Sequence, residues 1–465
     1  MSMISEKNVL QNEKAMNAKK AVIPVGLKLT EVGAIPEEWN ICHLEDLGTS
    51  SSPAIKAGPF GSSLTKSIYV KSGYKVYGQE QVIKGNHEYG DYFISDDKFR
   101  QLKSCEVIEN DILLSLVGTA GKLLVIPKNS AKGIINPRLL RFRFDKEKID
   151  SFFFKFLFED RAIQELLAAN AQGGTMAVLN ASILKRLKIP LPSLKEQKAI
   201  ASVLSDTDAL ITTLEQLISK KKSIKTASMQ QLLTGRTRLT QFAQYPNGTI
   251  KNYKSSELGL IPEDWEVARL AQVAKVIDPH PSHRAPPAES YGVPFVGIGD
   301  LNESGELINS EVRRVNQSIL QEHSERYTLH NQPIGLGRVA SIGKVIRLRL
   351  GKEPYAISPT LGVIDGFACT NDFLFYYLKS ESVTEQFSRV MSGSTRSSVG
   401  MNVLKEILVV KISNEEQTAI ANILSDMDAE LTVLEQKLSK IRDIKQGMMQ
   451  QLLTGRIRLP LEQQP

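Results

Sequence analysis

Cysteine is scarce in this 465-residue chain, and its scarcity limits the kind of protein that the sequence can encode. The three cysteines, Cys42, Cys105 and Cys369, are odd in number and far apart, so a disulfide framework is not expected. No run approaches the roughly 18 apolar residues of a membrane span, and residues 1–20 carry charges without the apolar core of a signal peptide. We therefore expect a cytoplasmic protein without a membrane partner.

Motifs that carry catalytic chemistry are also lacking. Gly337–Lys344 has one residue too many for a phosphate-binding P-loop and Gly118–Lys122 has too few, so both are interpreted as turns between strands. His280 and His283 are close, but no cysteine lies near them, and a zinc site needs more ligands. Asn136–Arg138 lacks the aromatic residue of an amino-methyltransferase motif. We predict no metal site and no catalytic residue, and expect that the chain is not an enzyme.

The charge balance is basic, but only mildly. The chain has 58 Lys and Arg against 51 Asp and Glu, a formal net charge of +7, which favours a polyanionic partner only weakly. Hydrophobic residues make up 42% of the sequence, enough to bury cores, and the length suits two or more domains.

The most informative feature is an internal duplication. Gln197–Arg236 aligns with Gln417–Arg456 at a constant offset of 220 residues, with 25 identities in 40 positions. A tryptophan motif precedes each variable region, as Gly33–Trp39 and as Gly259–Trp265. The order is therefore tryptophan motif, variable region and repeated segment, twice over. A period of this length indicates two whole domains rather than a solenoid of short repeats.

Both repeated segments have the pattern of long helices. Neither contains proline, and Gly235 and Gly455 follow as helix-ending residues. A helix of about 40 residues is about 60 Å long. In the second copy apolar residues recur at alternating spacings of three and four, the a/d pattern of a coiled coil, and in the first copy the polar Thr207 and Lys221 interrupt the same pattern. We predict that the following residues form the coiled coil and a docking surface for partners: Ile200, Leu204, Ile211, Leu214, Ile218, Ile420, Leu424, Met427, Leu431, Leu434, Leu438 and Ile441.

A lone helix rarely presents such a stripe to water, so the two helices should pack together. The first must deliver the chain from the first domain to the second, and the second leaves the second domain after an equivalent path. These connections predict an antiparallel, pseudo-two-fold pair with one domain at each end. The alternative, that each stripe is ordinary core of a helical domain, is less favoured by two near-identical copies.

The variable regions have mixed strand, loop and short-helix patterns. Strand-sized apolar runs occur at 112–117, 122–126 and 345–350, and amphipathic helical patterns occur at 151–169 and 371–390. We therefore predict two α+β domains. Beyond a few shared anchors the two regions align poorly, so the recognition surfaces have diverged. On DNA, identical domains about a two-fold axis would read a palindrome, whereas divergent domains would read two different half-sites.

Loop residues with hydrogen-bond donors, and glycines that permit close approach, are the candidate DNA contacts. In the first region we select Lys56, Gly58, Phe60, Gly61, Ser62, Ser63, Lys66, Tyr77, Gln79, Gln81, Arg138, Arg141, Arg143 and Thr175. In the second we select Arg284, Asn302, Arg313, Arg314, Arg338, Lys344, Thr395 and Arg396. For each residue the alternative is a solvated surface position, and we expect that alternative to hold for more than half of them.

The chain resembles the specificity subunits of type I restriction-modification enzymes in a series of motifs: TEVGAIPEEW, AGPFGSSL, GTAGK, IPLPSLKEQKAIASVLSDTDALI and MQQLLTGRTRL. The tandem arrangement is completed by ELGLIPEDW and EEQTAIANILSDMDAEL. The resemblance covers nearly the whole chain after about residue 25. The second copy departs slightly, with KISNEE where the first has PLPSLKE.

This resemblance implies two target recognition domains joined by two helices in an antiparallel coiled coil, with each domain reading half of a bipartite, asymmetric site on double-stranded DNA. The helices would set the gap between the halves and bind two methyltransferase subunits, and two restriction subunits would complete the complex. S-adenosylmethionine, ATP and magnesium are then expected on those partners, with no cofactor in this chain. The expected function is that of a non-catalytic DNA sequence-specificity subunit that positions the other subunits.

The repeats also predict the domain boundaries. We assign residues 29–194 to a first target recognition domain and residues 195–236 to a first spacer helix. A linker at 237–254 leads to a second target recognition domain at 255–414 and a second spacer helix at 415–457. Residues 1–28 form a leader and residues 458–465 a tail.

Three other functions are compatible with parts of this pattern. The first is an interaction scaffold that never contacts bases, against which the basic, glycine-containing loops of both regions argue. The second is a fused methyltransferase-nuclease, against which the duplication argues because it occupies nearly the whole chain. The third is the specificity subunit of a related methyltransferase-nuclease system that cuts on both sides of a bipartite site, which the sequence leaves open.

Overall fold

The structure is a computed structural model that describes residues 25–116, 121–161, 163–165, 181–282, 284–308, 311–351, 353–392 and 398–460. The chain divides into two compact units. Unit 1 comprises Met1–Leu214 and Lys437–Pro465, and unit 2 comprises Glu215–Gln436. Each unit therefore contains one variable region and part of each repeated segment.

Short strands and helices alternate along the chain. The strands of unit 1 are β1 (Leu27–Thr30), β2 (Gly33–Pro36), β3 (Asn40–His43), β4 (Ile55–Ala57), β5 (Tyr74–Tyr77), β6 (Phe93–Ile94), β7 (Glu106–Val107), β8 (Ile112–Ser115), β9 (Leu123–Val125), β10 (Gly133–Ile135), β11 (Leu139–Phe142) and β12 (Lys188–Leu191). Those of unit 2 are β13 (Tyr253–Ser256), β14 (Gly259–Pro262), β15 (Glu266–Arg269), β16 (Ala274–Ile277), β17 (Val293–Val296), β18 (Arg314–Val315), β19 (Ile334–Gly337), β20 (Val345–Arg347), β21 (Ala356–Ile357), β22 (Leu361–Gly366) and β23 (Leu408–Lys411).

The α-helices of the described residues are α1 (Gln79–Lys84), α2 (Asp96–Gln101), α3 (Ser151–Glu159), α4 (Ala181–Lys185), α5 (Leu194–Leu232), α6 (Thr240–Ala243), α7 (Leu270–Val273), α8 (Gln317–Ser324), α9 (Asn371–Leu378), α10 (Glu381–Ser392), α11 (Met401–Lys405) and α12 (Asn414–Leu452). The helical pattern at 371–390 is divided into α9 and α10 rather than continuous. Ser380 lies between them, and its carbonyl accepts the first hydrogen bond of α10, from the Thr384 N–H. Serine at such a position favours a new helix start over continuation.

Two four-stranded sheets form the body of unit 1, with strand orders β4–β11–β8–β9 and β6–β5–β10–β7. The strand pairs of the first sheet are antiparallel, whereas β5 and β10 of the second are parallel. The side chains of β8 and β11 are buried along both strands, because the sheet lies between two clusters of apolar residues. One of these two clusters also contains the five buried apolar residues of α3.

Among the described residues unit 2 repeats this topology, except that its second sheet has three strands where that of unit 1 has four. Its sheets have the orders β16–β22–β19–β20 and β18–β17–β21, and β17 and β21 are parallel, as are β5 and β10. In both units a hairpin of the tryptophan motif precedes the sheets, and a strand just after it pairs with the strand just before the long helix. The duplication therefore extends through the variable regions, and the predicted α+β tandem is confirmed.

The two long helices correspond to the repeated segments. At their starts, the hydroxyls of Ser193 and Ser413 each accept a hydrogen bond of 3.3 Å from the backbone N–H three residues later. At their ends, Gly235 and Gly455 adopt the left-handed conformation, with φ of 71° and 68°. Serine at the start and left-handed glycine after the end are the local signals that begin and stop helices.

Within each unit the two long helices run antiparallel. In unit 1, Lys445 of α12 lies 2.6 Å from Asp208 of α5. In unit 2, the Lys221 Nζ lies 2.7 Å from Glu430 and that of Lys222 lies 2.7 Å from Glu435. The predicted stripe is largely buried: Ile200, Leu204, Leu214, Ile218, Ile420, Leu424, Leu431 and Leu438 are at most 9% exposed, and Ile211, Met427, Leu434 and Ile441 are half-buried.

Among the described residues no helix combines the length and the apolar character that crossing a membrane requires. Nor do three or more His, Cys, Asp or Glu side chains in that part of the chain come together as metal ligands would.

Candidate nucleic-acid interface

Four turns of unit 1 meet where strands of its two sheets end. The loop after β4 is joined to the β10–β11 turn, since the Gly58 N–H donates to the Leu139 carbonyl at 3.0 Å. The β10–β11 turn is joined to the end of β5 by a bond of 2.8 Å from the Asn136 N–H to the Tyr77 carbonyl. The residue after β8, Leu116, donates to the carbonyl of the same turn. We call this set, residues 58–66, 78–81, 116, 121–122 and 136–138, turn cluster 1.

Glycine is required in turn cluster 1 by contacts within the protein. A Cβ at Gly58 would overlap the carbonyl oxygen of Asn136, and one at Gly78 would lie 2.9 Å from the Asn136 Nδ2. Gly61 has nothing within 4 Å of such a Cβ. The prediction that Gly58 and Gly61 permit close approach to DNA therefore stays open for Gly61, whereas Gly58 is explained by the approach of two protein turns.

Several predicted contacts of turn cluster 1 are exposed. Phe60 is 87% exposed at the tip of its loop, so its ring is accessible to a ligand. Ser62, Lys66 and Arg138 are exposed beside it in the same cluster, and Lys56, Ser63 and Gln79 are half-buried. The Gln79 Oε1 is a buried acceptor without a hydrogen-bond partner among the described residues. The exposed predicted contacts offer one aromatic ring, two cations and one hydroxyl.

Other predicted contacts of the first region are part of the core. Tyr77 is fully buried, its hydroxyl donates to the Ala131 carbonyl at 2.6 Å, and burial raises its pKa to about 12. Gln81 is also buried, where its Oε1 accepts from the Gly78 N–H at 2.9 Å and caps α1. Sequence reasoning was wrong to place these two side chains at the surface, because Lys75, Val76 and Tyr77 of β5 are all buried and the cap of α1 turns Gln81 inward.

The basic cluster predicted from Arg141 and Arg143 is likewise a core feature. Arg141 is 2% exposed and binds the Glu106 carbonyl at 2.5 Å and the Ser52 hydroxyl at 3.1 Å. Arg143 binds both carboxylate oxygens of Asp111, at 2.8 and 2.7 Å. Burial raises the pKa of Asp111, and the bonds to Arg143 oppose that rise. These arginines hold strands together.

Unit 2 brings the corresponding turns together. The loop after β16, the turn after β17, the turn after β19 and the β21–β22 turn form turn cluster 2, residues 278–282, 284–286, 297–302, 338–344 and 358–360. The Arg338 N–H donates to the Thr360 carbonyl at 2.8 Å, and its guanidinium lies 3.3 Å from Asp278. The Lys344 Nζ donates to the Ile298 carbonyl at 3.0 Å. The same four connections thus converge in both units, although the side chains differ.

The predicted contacts of the second region divide in the same way. Arg284 and Lys344 are exposed within turn cluster 2. Arg313 is exposed on the neighbouring edge, where it binds the Pro286 carbonyl. Arg338 is 7% exposed and holds turns together, and Asn302 accepts from the N–H groups of its own turn.

Arg314 is also a structural residue. It binds both carboxylate oxygens of Glu353, at 2.6 and 3.0 Å, and the Gly292 carbonyl at 2.6 Å. The prediction for Arg338 as a direct DNA contact is therefore corrected, because its guanidinium is buried among protein partners. Asn302 and Arg314 are half-buried and bind protein partners, and as DNA contacts they stay predictions. Thr175, Thr395 and Arg396 lie outside the described residues.

Sequence reasoning missed a polar cluster built on the tryptophan motif around a buried carboxylate. In unit 1 the indole of Trp39, 1% exposed, donates to Glu196 Oε2 at 3.1 Å. Arg458 binds both oxygens of Glu196 and lies 2.5 Å from Glu38, with its guanidinium 5.9 Å from the Trp39 ring centroid. We call Glu38, Trp39, Glu196 and Arg458 tryptophan cluster 1.

Unit 2 contains the equivalent tryptophan cluster 2. Trp265 donates to Glu416 at 3.2 Å, and Arg238 binds both Glu416 and Asp264. The signal was available in the sequence, because Trp, Glu and Arg occupy matching positions of both copies. Matching positions do not reveal which repeated motifs touch, however, and only the folded chain brings the motif against the end of the long helix.

A second repeated feature is a groove beside the long helices. In unit 1 a groove of about 430 Å³ lies between the end of α3 and the last turns of α12, and it includes Lys445, Met449 and Gln450. In unit 2 a groove of about 530 Å³ lies between α10 and the last turns of α5, and it includes Met229 and Gln230. Met449 and Gln450 correspond to Met229 and Gln230 at the offset of 220 residues. We call these the helix grooves of units 1 and 2.

Comparison with known protein families identifies the repeated units. A family profile described as "Type I restriction modification DNA specificity domain" matches residues 36–225 and again residues 262–443. The chain is 28% identical over 449 residues to the putative type I restriction enzyme MjaX specificity subunit of Methanocaldococcus jannaschii, covering 93% of this chain and 96% of that protein. It is 22% identical to the type I restriction enzyme EcoBI specificity subunit of Escherichia coli, covering 74% of this chain and 73% of that protein.

Solved structures share the fold. The crystal structure of the type I restriction-modification S subunit from M. genitalium aligns with a TM-score of 0.53 and 17% identity, covering 92% of this chain and 98% of that one. A chain from a structure of type I R-M complex assembly and conformational transition aligns with a TM-score of 0.51 and 15% identity, covering 91% and 99%.

Proposed function

Because the chain belongs to the family of type I restriction-modification DNA specificity subunits, we propose that its two domains read the two different halves of a bipartite, asymmetric DNA site. The chain is a non-catalytic DNA-recognition subunit, and it associates with DNA and with other restriction-modification subunits. The observation that carries the proposal for the two halves is the pair of turn clusters, which are built on one topology from different side chains.

The chemistry of the exposed residues supports DNA as the ligand of the turn clusters. Arginine reads guanine edges through paired donors, and lysine and serine bind phosphates. Arg138 and Lys66 offer such groups in turn cluster 1, and Arg284 and Lys344 offer them in turn cluster 2. An exposed aromatic such as Phe60 can pack against bases or thymine methyl groups. Different groups in the two clusters suit different half-sites.

The test is to map methylated sites in cells that express the chain with its partner subunits. We expect a motif with two unlike halves, with Arg138→Ala relaxing one half and Arg284→Ala relaxing the other. Each variant should reduce discrimination against a wrong base by about ten-fold or more. Arg100→Ala is the matched control, because Arg100 is exposed on α2 and pairs with Asp96 outside the turn clusters. A single contiguous motif, or one half relaxed by both variants, would contradict the proposal.

For the partners, we propose that each helix groove binds one methyltransferase subunit, so that two are bound, and that two restriction subunits complete the complex. Two identical partners need two equivalent surfaces, and the grooves share Met and Gln at matching positions on the long helices. The turn clusters, in contrast, differ between units and suit a ligand that differs between them. The duplicated residues are therefore the better candidates for binding a duplicated partner.

Bulky substitutions in the helix grooves test this stoichiometry. Gln450 and Gln230 are exposed, so a larger side chain at either position should leave the fold intact. We expect native mass spectrometry to detect two methyltransferase subunits on the wild-type chain, one on Gln450→Trp or Gln230→Trp, and none on the double variant. Two bound methyltransferases on the double variant would place the docking surface elsewhere.

We also propose that the partner subunits hold S-adenosylmethionine, ATP and magnesium. Calorimetric titration of the purified chain with S-adenosylmethionine should give no binding, whereas the complex should bind it. Binding by the chain alone would overturn this assignment.

A further inference from the structure

Two buried histidines, one of them within turn cluster 2, belong to a series of hydrogen bonds. His280 follows β16 and is 4% exposed, and His323 lies on α8 and is 1% exposed. The Nδ1 of His280 lies 3.1 Å from the Nε2 of His323. The Nε2 of His280 lies 3.0 Å from the Arg284 carbonyl oxygen, and the Nδ1 of His323 lies 3.2 Å from the Tyr327 hydroxyl.

The partners determine the proton positions along this chain. The backbone N–H of Ile357 points to the Nδ1 of His323 at 3.3 Å and can only donate, so that nitrogen is an acceptor. The Nε2–H of His323 then donates to the Nδ1 of His280, and the Nε2–H of His280 donates to the Arg284 carbonyl. Both rings are therefore neutral and each has one tautomer. Burial is the largest cause that lowers the pKa of His323, to about 4, in keeping with this state.

This series of hydrogen bonds ends at the backbone of the loop that carries Arg284. This loop, Asp278–Pro286 without the undescribed residue 283, is held at its start by the ion pair of Asp278 with Arg338 and at its end by the bond of Arg313 to the Pro286 carbonyl. His280 holds the middle, directly at the backbone of the exposed Arg284. Phe295 packs edge-on against the His280 ring, with centroids 5.4 Å apart, and limits its rotation.

Unit 1 uses a different device at the corresponding place. Its helix α2, which follows β6 as α8 follows β18, contacts the sheet through Phe99, stacked on Tyr74 with centroids 3.9 Å apart. The loop after β4, with the sequence GPFGSSLTK, contains no histidine. A packed aromatic pair stabilises the fold without fixing a loop backbone. In unit 2, in contrast, the buried Nε2–H of His280 donates a hydrogen bond to the backbone carbonyl of Arg284.

We propose that the His280–His323 pair is a positioning element that fixes the Arg284 backbone for DNA reading by the second domain alone. This inference rests on the proposed function of turn cluster 2. A guanidinium can make paired hydrogen bonds to a base only if its backbone is held within about 0.5 Å of the position that this geometry requires. The histidines touch no DNA in this scheme, and they act through the Arg284 carbonyl.

Two amide substitutions at His280 separate positioning from stability. In His280→Gln, the side-chain NH₂ can replace the Nε2–H and keep the bond to the Arg284 carbonyl. In His280→Asn, the shorter amide can replace the Nδ1 acceptor and keep the bond to His323, but it does not reach the loop. Both variants bury one amide in the same place. A purely structural histidine would make them equivalent.

The measurement is competition binding of the full complex to duplexes with single mismatches in either half-site, alongside thermal melting. We expect His280→Asn to lose about ten-fold of its discrimination in the second half-site only, while His280→Gln retains most of it. If His280→Asn does not fold, His280→Phe, which keeps ring volume against Phe295, takes its place with the same expectation. Equal discrimination by both variants, or equal loss in both half-sites, would overturn the inference.

Failure of the inference is distinguishable from failure of the proposed function. If the wild-type complex reads a bipartite motif and Arg284→Ala relaxes its second half, turn cluster 2 reads DNA whatever the histidine variants do. If Arg284→Ala has no effect on discrimination, the loop does not read bases. His280 and His323 then have no positioning role in DNA reading.

Discussion

At Trp39 a single side chain joins parts of the sequence that lie far apart. Its indole donates to Glu196, at the start of the first long helix, and Arg458, beyond the end of the second, binds the same carboxylate. Glu196 is 2% exposed, so its charge depends on these partners. Because the tryptophan clusters contain the only two tryptophans of the chain, intrinsic fluorescence reports on each of them directly.

Loss of Arg458 should destabilise unit 1. In Arg458→Met the Glu196 carboxylate stays buried without its ion pair, and the cost is about 3 kcal/mol. Arg456→Met is the matched control: Arg456 is exposed two residues away, and its loss should change stability by about 0.5 kcal/mol or less. Chemical denaturation followed by Trp39 fluorescence, in a Trp265→Phe background, measures both. Equal midpoints for the two variants would contradict a stabilising role of the cluster.

The buried histidine predicts how the stability of unit 2 depends on pH. The pKa of His323 is lowered from 6.5 to about 4, chiefly by burial and further by the positive charge of Arg326. As the pH falls below 6.5 the unfolded chain binds a proton that the folded chain does not. The stabilisation is therefore complete above pH 6.5 and is lost progressively towards pH 4, by about 3 kcal/mol at most.

Denaturation between pH 7.5 and 4, followed by Trp265 fluorescence in a Trp39→Phe background, tests this dependence. His323→Gln should lower the stability at neutral pH and reduce its decline in acid relative to the parent. An identical decline in both proteins would show that His323 is not the group that titrates.

At the scale of the element, the ends of the long helices are shaped by the residues they meet. Gly455 has φ of 68°, and a Cβ there would overlap Pro36 of the tryptophan motif. Gly235 has φ of 71° and meets Pro262 in the same way. Each position therefore requires glycine for two reasons: the left-handed conformation that ends the helix, and the close approach of the tryptophan motif.

Alanine substitutions should have opposite effects at two glycines, one inside α12 and one just after its end. Gly455→Ala is expected to cost about 2 kcal/mol, because it combines an unfavourable φ with a steric clash. Gly447→Ala, inside the helix with nothing within 4 Å of a new Cβ, should stabilise by about 0.5–1 kcal/mol. Thermal melting of both variants checks the pair. A stabilising Gly455→Ala would exclude the close contact at the helix stop.

At the scale of the whole molecule, the long helices are the elements that both compact units share. Each unit contains part of α5 and part of α12, and the chain passes between the units only through these two helices. A change in the length of these helices should therefore leave both recognition domains unaltered. It should alter the gap between the half-sites rather than the half-sites themselves.

Insertion of four residues into Ser219–Lys225 tests that expectation. Four residues add about one helical turn and allow the apolar stripe to continue with a local change of twist. We expect the mapped methylation motif to keep both halves and to gain a longer gap. A four-residue insertion near Asn247, in the turn between α6 and β13, is the control and should leave the gap unchanged. Altered half-sites with an unchanged gap would refute the spacer role.

The sequence by itself determined the tandem order, the two long helices and the α+β character of the variable regions. These features depend on local signals: heptad spacing from Ile200 to Ile218 and from Ile420 to Ile441, serine before each helix, glycine after it, and strand-sized apolar runs such as 112–117. Helix and strand periods act over a few residues, so they can be read without the fold. The resemblance in the repeated motifs also identified the family, which the comparisons confirmed.

Only the tertiary structure decided which polar residues serve the fold and which face outward. Arg138 and Arg141 are three residues apart and look alike in sequence, yet Arg138 is exposed and Arg141 is buried against Glu106 and Ser52. The physical reason is distance along the chain. A buried charge is satisfied by partners tens or hundreds of residues away, as Glu196 is by Arg458, and those partners are chosen by packing rather than by any local pattern.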